Sequence, residues 1–471
     1  MHTTSSNRPL ITLISVFFFW GFIAASNNVL IGMFKHNFTL SQFQSQLVDT
    51  AFFAAYFVGS LIYFFISVSN GDPLNRIGYK NGLISGLVLS ALGALLFVPA
   101  ASAQSFSLFL SALFIVGLGF CLLQIVANPY LIALGDPQTG SHRINLGGSI
   151  NSLGTTMGPL IMSYAIFGNI HAVNSADIGI DAVKMPYVLL AGAFLLFALF
   201  LAFSKLPAVT NTEVLEKDMG ALKYPQLIFG MLAIFIYVGV EVSISSNLIS
   251  LMQLPEIKGL DHTKSVHFIS LYWGCLMVGR WTGSLTVFNL SKNTKHIMTV
   301  VVPLLAYGVI LGLNRINQSP MMDLLYFFPF VLVLVVGFFF TKDKPALTMI
   351  LFGSMAAIMM VIGLFTSGNM ALFSFISGGL FCSVMWPCIF SLSLAGLGKY
   401  TNQGSSLLIM MILGGALIPP LQGLLADKTG IHFSYILPVF CFAYLAFYGW
   451  KVKAVLRSQG IDYDASVIAG H

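Results

Sequence analysis

The residues able to do chemistry are few, and they sit where apolar neighbours make them costly. Asn27 and Asn28 are adjacent amides inside the uncharged run between Arg8 and Lys35. Gln124, Asn145, Asn151, Asn247 and Gln422 are further amides in apolar surroundings, and Trp273 and Trp386 are flat rings among them. A buried amide is expensive unless it meets a partner helix or a wet cavity. It also donates and accepts at once, which suits a neutral solute rich in hydroxyls. The tryptophans offer apolar faces to such a solute, or pack as ordinary aromatics. Asn128 precedes Pro129 and Gln422 follows Pro419-Pro420, so either equally fits a helix kink.

Two carboxylates join this set. Glu241 falls about 17 residues into an apolar stretch, or ~25 Å along a helix at 1.5 Å per residue. There it can exchange a proton, give oxygens to a sodium ion, or pair with another helix. Asp49 opens another apolar stretch, where a solvated helix end fits it as well as an ion-coupling role does. No serine–histidine–acid or metalloprotease spacing occurs, so enzyme chemistry has no support. Without a Walker pattern ATP is not the energy source, and no cofactor is implied. His262 and His267 have no cysteine or carboxylate cage, which argues against a metal site.

The elements that must position these residues are membrane spans. Hydrophobic residues make up 57% of the 471 and charged residues 8%, far below the roughly 25% charged of soluble domains. The net charge of +6 is scattered singly through loops and forms no nucleic-acid patch. All five cysteines lie in apolar segments and read as small core hydrophobes. The N-terminal apolar run is too long for a cleaved signal and reads as a retained first span. Charges punctuate about fourteen apolar segments of spanning length, near 10–34, 50–70, 82–101, 106–135, 144–168, 185–204, 224–252, 266–290, 297–314, 324–341, 345–366, 370–397, 404–426 and 431–450.

Lysine and arginine crowd the loops on one side, which places both termini in the cytoplasm. The mixed-charge stretch 205–223 is the natural linker between an N-terminal bundle, 1–204, and a C-terminal one, 224–471. The halves echo each other. Gly119-Phe-Cys-Leu-Leu-Gln-Ile-Val-Ala-Asn-Pro129 has a late counterpart in Gly379-Leu-Phe-Cys-Ser-Val-Met-Trp-Pro387, and a glycine-rich helix follows each. Such weak symmetry marks transporters with a solute site between repeated bundles.

The loop Leu74-Asn-Arg-Ile-Gly-Tyr-Lys-Asn-Gly82 resembles the loop signature of the major facilitator superfamily, with Asn75 where that signature usually has Asp. Asn27-Asn-Val-Leu-Ile31, Leu123-Gln-Ile-Val-Ala-Asn-Pro-Tyr130, Tyr237-Val-Gly-Val-Glu-Val242, Tyr272-Trp-Gly274 and Gly279-Arg280 occur in order along nearly the whole chain. Together they resemble the fucose–glucose–galactose permease family. The resemblance implies an all-α polytopic fold of two six-helix bundles, here with two spans inserted near 292–341. It implies a secondary transporter importing a neutral monosaccharide of the glucose/galactose type.

Departures from that pattern bear on coupling. Asn28 stands where the family usually has aspartate, Gln124 where fucose permeases have glutamate, and Gly148 where the family has glutamine. Asp49 lies where glutamine is more common. Coupling to H+ or Na+ then runs through Glu241, alone or with Asp49, or is absent in a facilitator. Fucose, mannose or N-acetylglucosamine is an alternative substrate. Gly154-Thr-Thr-Met-Gly-Pro159 partly resembles a drug–proton antiporter signature, and a non-transporting sugar sensor is a further alternative. The expected setting is lipid of a bacterial inner membrane, with the protein acting as a monomer.

Overall fold

The computed structural model describes residues 8–70, 74, 77–134, 140–168, 179–207, 220–287, 290–316, 319–341, 344–397 and 400–461. Their regular structure is helical throughout. In chain order the main helices are α1 (Arg8–Asn37), α2 (Leu47–Asn70), α3 (Tyr79–Leu95, continued by Phe97–Ser102), α4 (Phe106–Ala133), α5 (Gly140–Phe167), α6 (Lys184–Phe203) and α7 (Pro225–Met252). Then come α8 (His262–Gly283), α9 (Lys292–Ile316), α10 (Phe328–Thr341), α11 (Pro345–Leu364), α12 (Gly368–Cys382, continued by Met385–Leu394), α13 (Thr401–Met410, continued by Gly414–Thr429) and α14 (Ile436–Ser458).

Among the described residues, 11 stretches are long and apolar enough to cross a membrane, and α2 adds a shorter one, Leu47–Tyr63. The composition test thus supports eleven of the expected fourteen spans. α5 and α8 fall outside it because they carry Asn151, Ser152, Thr155 and Thr156, and His267, Ser270, Arg280 and Thr282. These two helices pack on each other. Their polar side chains face protein, where a partner offsets the desolvation that lipid would impose.

The span expected at 431–450 starts where expected, with a short helix Ile431–Ser434 leading into α14, but runs on to Ser458, past Lys451 and Lys453. Charge ends an apolar run, but lysine and arginine are good helix formers and do not end a helix. The late-half span expected at 370–397 breaks between Cys382 and Met385. Pro387 then lies in the first turn of the second piece, where a missing N–H costs nothing.

Packing follows a pattern that occurs twice. α1 lies on α5, α2 and α3 on α4, and α3 on α6; α7 lies on α13, α8 and α11 on α12, and α11 on α14. α9 packs on α8 and α10 on α11, and neither has a counterpart in the first set. Close approach is built from the same residue type in both sets. A Cβ on Gly154 of α5 would collide with the Phe18 carbonyl of α1, and one on Gly414 of α13 with the Phe235 carbonyl of α7. Neither backbone can step aside cheaply. Gly154→Ala is therefore expected to destabilise the fold by about 1–3 kcal/mol. Gly192→Ala, whose Cβ would meet nothing within 4 Å, is the matched control. Thermal unfolding in detergent separates the two.

Candidate functional site

Six of the sequence-derived polar residues, Asn28, Asp49, Asn151, Glu241, Asn247 and Trp273, meet at the seam between the two helix sets. In one part of it, Arg280 of α8 reaches in three directions. Its Nη1 donates to Ser152 Oγ at 3.0 Å and to Asn151 Oδ1 at 3.4 Å, both on α5. Its Nη2 pairs with Glu241 Oε1 of α7 at 3.4 Å. Tyr237, one turn before Glu241 on the same face, donates its hydroxyl to the same oxygen at 3.0 Å. Asn151 is held from its other end, donating Nδ2 to the Phe17 carbonyl of α1 at 3.1 Å. An ion pair within one set thus hydrogen-bonds to the other.

A second part lies further along the seam. Trp273 Nε1 donates to Asn28 Oδ1 at 2.7 Å, and Asn28 Nδ2 donates to Ser246 Oγ at 3.4 Å. The Ser246 hydroxyl in turn donates to the Asp49 carboxyl. Beyond it, Lys35 donates to Gln42 Oε1 at 2.5 Å and Ser250 Oγ at 3.2 Å, while Gln42 Nε2 donates to Asn247 Oδ1 at 2.7 Å. Asp427 of α13 accepts from the backbone N–H groups of Gln42 and Phe43 at 2.8 and 3.0 Å. This end of the seam is closed by hydrogen bonds running from α1, α2 and their connection to α7 and α13.

Asn27 is different. Its side chain is fully buried, and neither Nδ2 nor Oδ1 has a hydrogen-bond partner. Gln124 lines a small cleft with Val16, Phe17, Trp20, Phe120, Leu123 and Ala127. Trp386 is half-buried, 6.0 Å from the Tyr237 ring and stacked on Phe390. Gln422 is satisfied within its own helix set, accepting from Ser243 at 2.5 Å and donating to Ser434 at 3.2 Å. The Asn145 side chain lies outside the described residues. Arg280, Tyr237, Ser246, Lys35 and Asp427 were not on the sequence-derived site list. Tyr237 and Arg280 lie in motifs that carry the family resemblance, Lys35 was visible as the charge ending an apolar run, and Ser246 and Asp427 gave no signal.

This collection holds amides, hydroxyls, indoles and one ion pair, arranged between helices that occur in a repeated packing pattern. It is suited to holding a neutral polyol and to changing partners as the helices shift. The Major Facilitator Superfamily model matches residues 11–342. The chain belongs to that superfamily. It is therefore an integral membrane transporter, not an enzyme. It is 36% identical to a glucose/galactose transporter of Brucella abortus (biovar 1, strain 9-941), over 95% of this chain and 96% of that protein. It is 27% identical to the L-fucose-proton symporter of Escherichia coli K12, over 92% of this chain and 91% of the relative. A crystal structure of the E. coli fucose:proton symporter superposes with a TM-score of 0.64, covering 95% of this chain and 99% of that one at 24% identity, which supports the fold. The relatives place the chain among sugar transporters.

Proposed function

We propose that the protein imports a neutral hexose of the glucose/galactose type by alternating access, coupled to protons. The observation that carries this reading is the polar seam itself. Asn28, Asn151 and Trp273 gather there around the Glu241–Arg280 ion pair, with Asp49, Lys35 and Asp427 at the closed end and the unpartnered Asn27 next to Asn28 in the chain. A set of amides and an indole favours a neutral solute over an ionic one. Asn28 and Trp273 already bond each other across the seam, so a sugar hydroxyl entering there would exchange for an existing bond. Gln124 and Trp386 are the remaining candidate contacts, on α4 and α12. Asn145 and Asn247 are weaker candidates, the latter because Gln42 and Ser243 occupy it.

We read the chain as about fourteen spans in two bundles, 1–204 and 224–471, joined by 205–223, with both termini cytoplasmic in a bacterial inner membrane. The two helices without counterparts, α9 and α10, are then the inserted pair. Proton coupling is favoured over sodium because Asp49 presents one carboxyl to one hydroxyl, whereas a sodium site gathers several oxygens. The relative named as an L-fucose-proton symporter points the same way. The test is counterflow in proteoliposomes preloaded with glucose, galactose, fucose, mannose or N-acetylglucosamine. Exchange of glucose or galactose is expected without any ion gradient. Net uptake should then follow an imposed pH gradient and ignore a sodium gradient. Silence with every sugar would overturn the substrate class.

A further inference from the structure

We infer that Asp49 is the proton-operated latch of the closed end of the seam: that end shuts only when the Asp49 carboxyl carries a proton. The inference rests on the transport reading for its purpose, but its geometry stands alone. Asp49 is 1% exposed, and its observed polar partner is the Ser246 hydroxyl on α7, across the seam. Every bond leading to it points the same way. Trp273 donates to Asn28, Asn28 donates to Ser246, and Ser246 donates to Asp49. The chain steps from α8 to α1 to α7 to α2, so it crosses between the helix sets at each link.

The charged groups on the neighbouring elements are engaged elsewhere. On α1, Lys35 is held by Gln42 and Ser250. On α7, Glu241 is paired with Arg280 and bonded by Tyr237. On α13, Asp427 takes the Gln42 and Phe43 amides, and Lys428 is exposed. α4 carries no charged residue. A carboxylate sealed here therefore has one hydroxyl and no cation, which is far too little to offset its desolvation.

A second observation shows a buried acceptor close by in the chain. Gln46 is fully buried, one turn before Asp49, and its Oε1 has no donor. Gln46 and Asp49 both reach Ser246, Gln46 through Nε2 to the Ser246 carbonyl at 3.4 Å. A proton on the Asp49 carboxyl adds a donor one turn from this orphaned oxygen, while the carboxyl still accepts from Ser246. With the proton in place this end has a buried donor beside a buried acceptor; without it, Asp49 and Gln46 Oε1 are two acceptors for the one Ser246 hydroxyl donor nearby.

The sign follows. Opening this end hydrates Asp49 and lets it ionise, so closure is favoured at low pH and lost as pH rises. One proton limits the change in the closed-to-open ratio to about tenfold per pH unit. The experiment is a spin-label distance measurement on the full chain in nanodiscs, without sugar, between pH 5 and 9. Labels go on His36→Cys and Lys428→Cys, both exposed at this end, which also removes one exposed histidine. The expected result is a short distance at low pH giving way to a longer one as pH rises. Asp49→Asn should stay short throughout, and Ser246→Ala should open at lower pH. A pH-independent distribution, or Asp49→Asn opening as the parent does, would overturn the latch. Because no sugar is present, a failed substrate assignment leaves this result standing.

Discussion

Arg280→Met is expected to abolish sugar exchange and to lower the thermal midpoint sharply. Adding Glu241→Gln should restore much of the stability and none of the exchange. Arg280 supplies the charge opposite Glu241, and removing it leaves a carboxylate against Tyr237 alone. Breaking a buried pair from one side costs about 3–5 kcal/mol, and the lower end applies because 21% of the Arg280 side chain is exposed. Glu241→Gln by itself is milder, since Arg280 keeps Ser152 and Asn151 as acceptors. The double variant has no stranded charge, so its loss should be smaller than that of Arg280→Met. A double-mutant cycle in detergent melts measures this coupling directly, and simple additivity would mean that the two groups do not interact. Exchange should fail in both Arg280 variants because the guanidinium also joins α8 to two α5 side chains, a contact that the proposed alternating access would remake in each cycle.

The same ion pair shows what could be read from the sequence and what could not. Glu241 was legible because a carboxylate that far inside an apolar run is costly enough to need a reason. Its partner was not, because Arg280 lies close to the end of α8 and reads equally well as a marker of sidedness. Pairing depends on α7 and α8 being neighbours, and no spacing along the chain encodes that. The amides separated for the same reason. Asn28 and Trp273 were both identified, yet their bond to each other spans 245 positions and emerges only from the fold. Gln422 looked like Asn27 as a lone amide in hydrocarbon, but Ser243 and Ser434 fill its bonding capacity. The fold itself was more legible than the site. Span positions follow from apolar length, whereas the small polar residues that join spans carry little hydropathy signal. The two most polar helices, α5 and α8, were read as spans because charges bracket them; they are helices that fall short of spanning hydropathy, and their polarity is explained by their mutual contact.

Asn27→Leu is expected to make the protein more stable and a poorer transporter. Asn27 has a buried donor and a buried acceptor, both without partners. An unsatisfied buried polar group costs about 1–3 kcal/mol, and an apolar side chain of similar shape removes that penalty. Leucine is close in size, so a gain of roughly 1–2 kcal/mol in unfolding free energy is expected after imperfect repacking. Sugar binding should change in the opposite direction. A hydroxyl that both accepts from Nδ2 and donates to Oδ1 would satisfy the amide, and losing those bonds should weaken exchange by at least about tenfold, since 1.4 kcal/mol is one decade. A melt in detergent and a counterflow KM on the same preparation give both numbers. The combination separates two roles that a transport assay alone would confuse. A structural amide would lose stability on substitution, and its loss of transport would follow from that. Higher stability with weaker exchange is the signature of a polar group kept unsatisfied in the fold so that a ligand can satisfy it. Lower stability with unchanged exchange would remove Asn27 from the site and leave Asn28 and Trp273 as its centre.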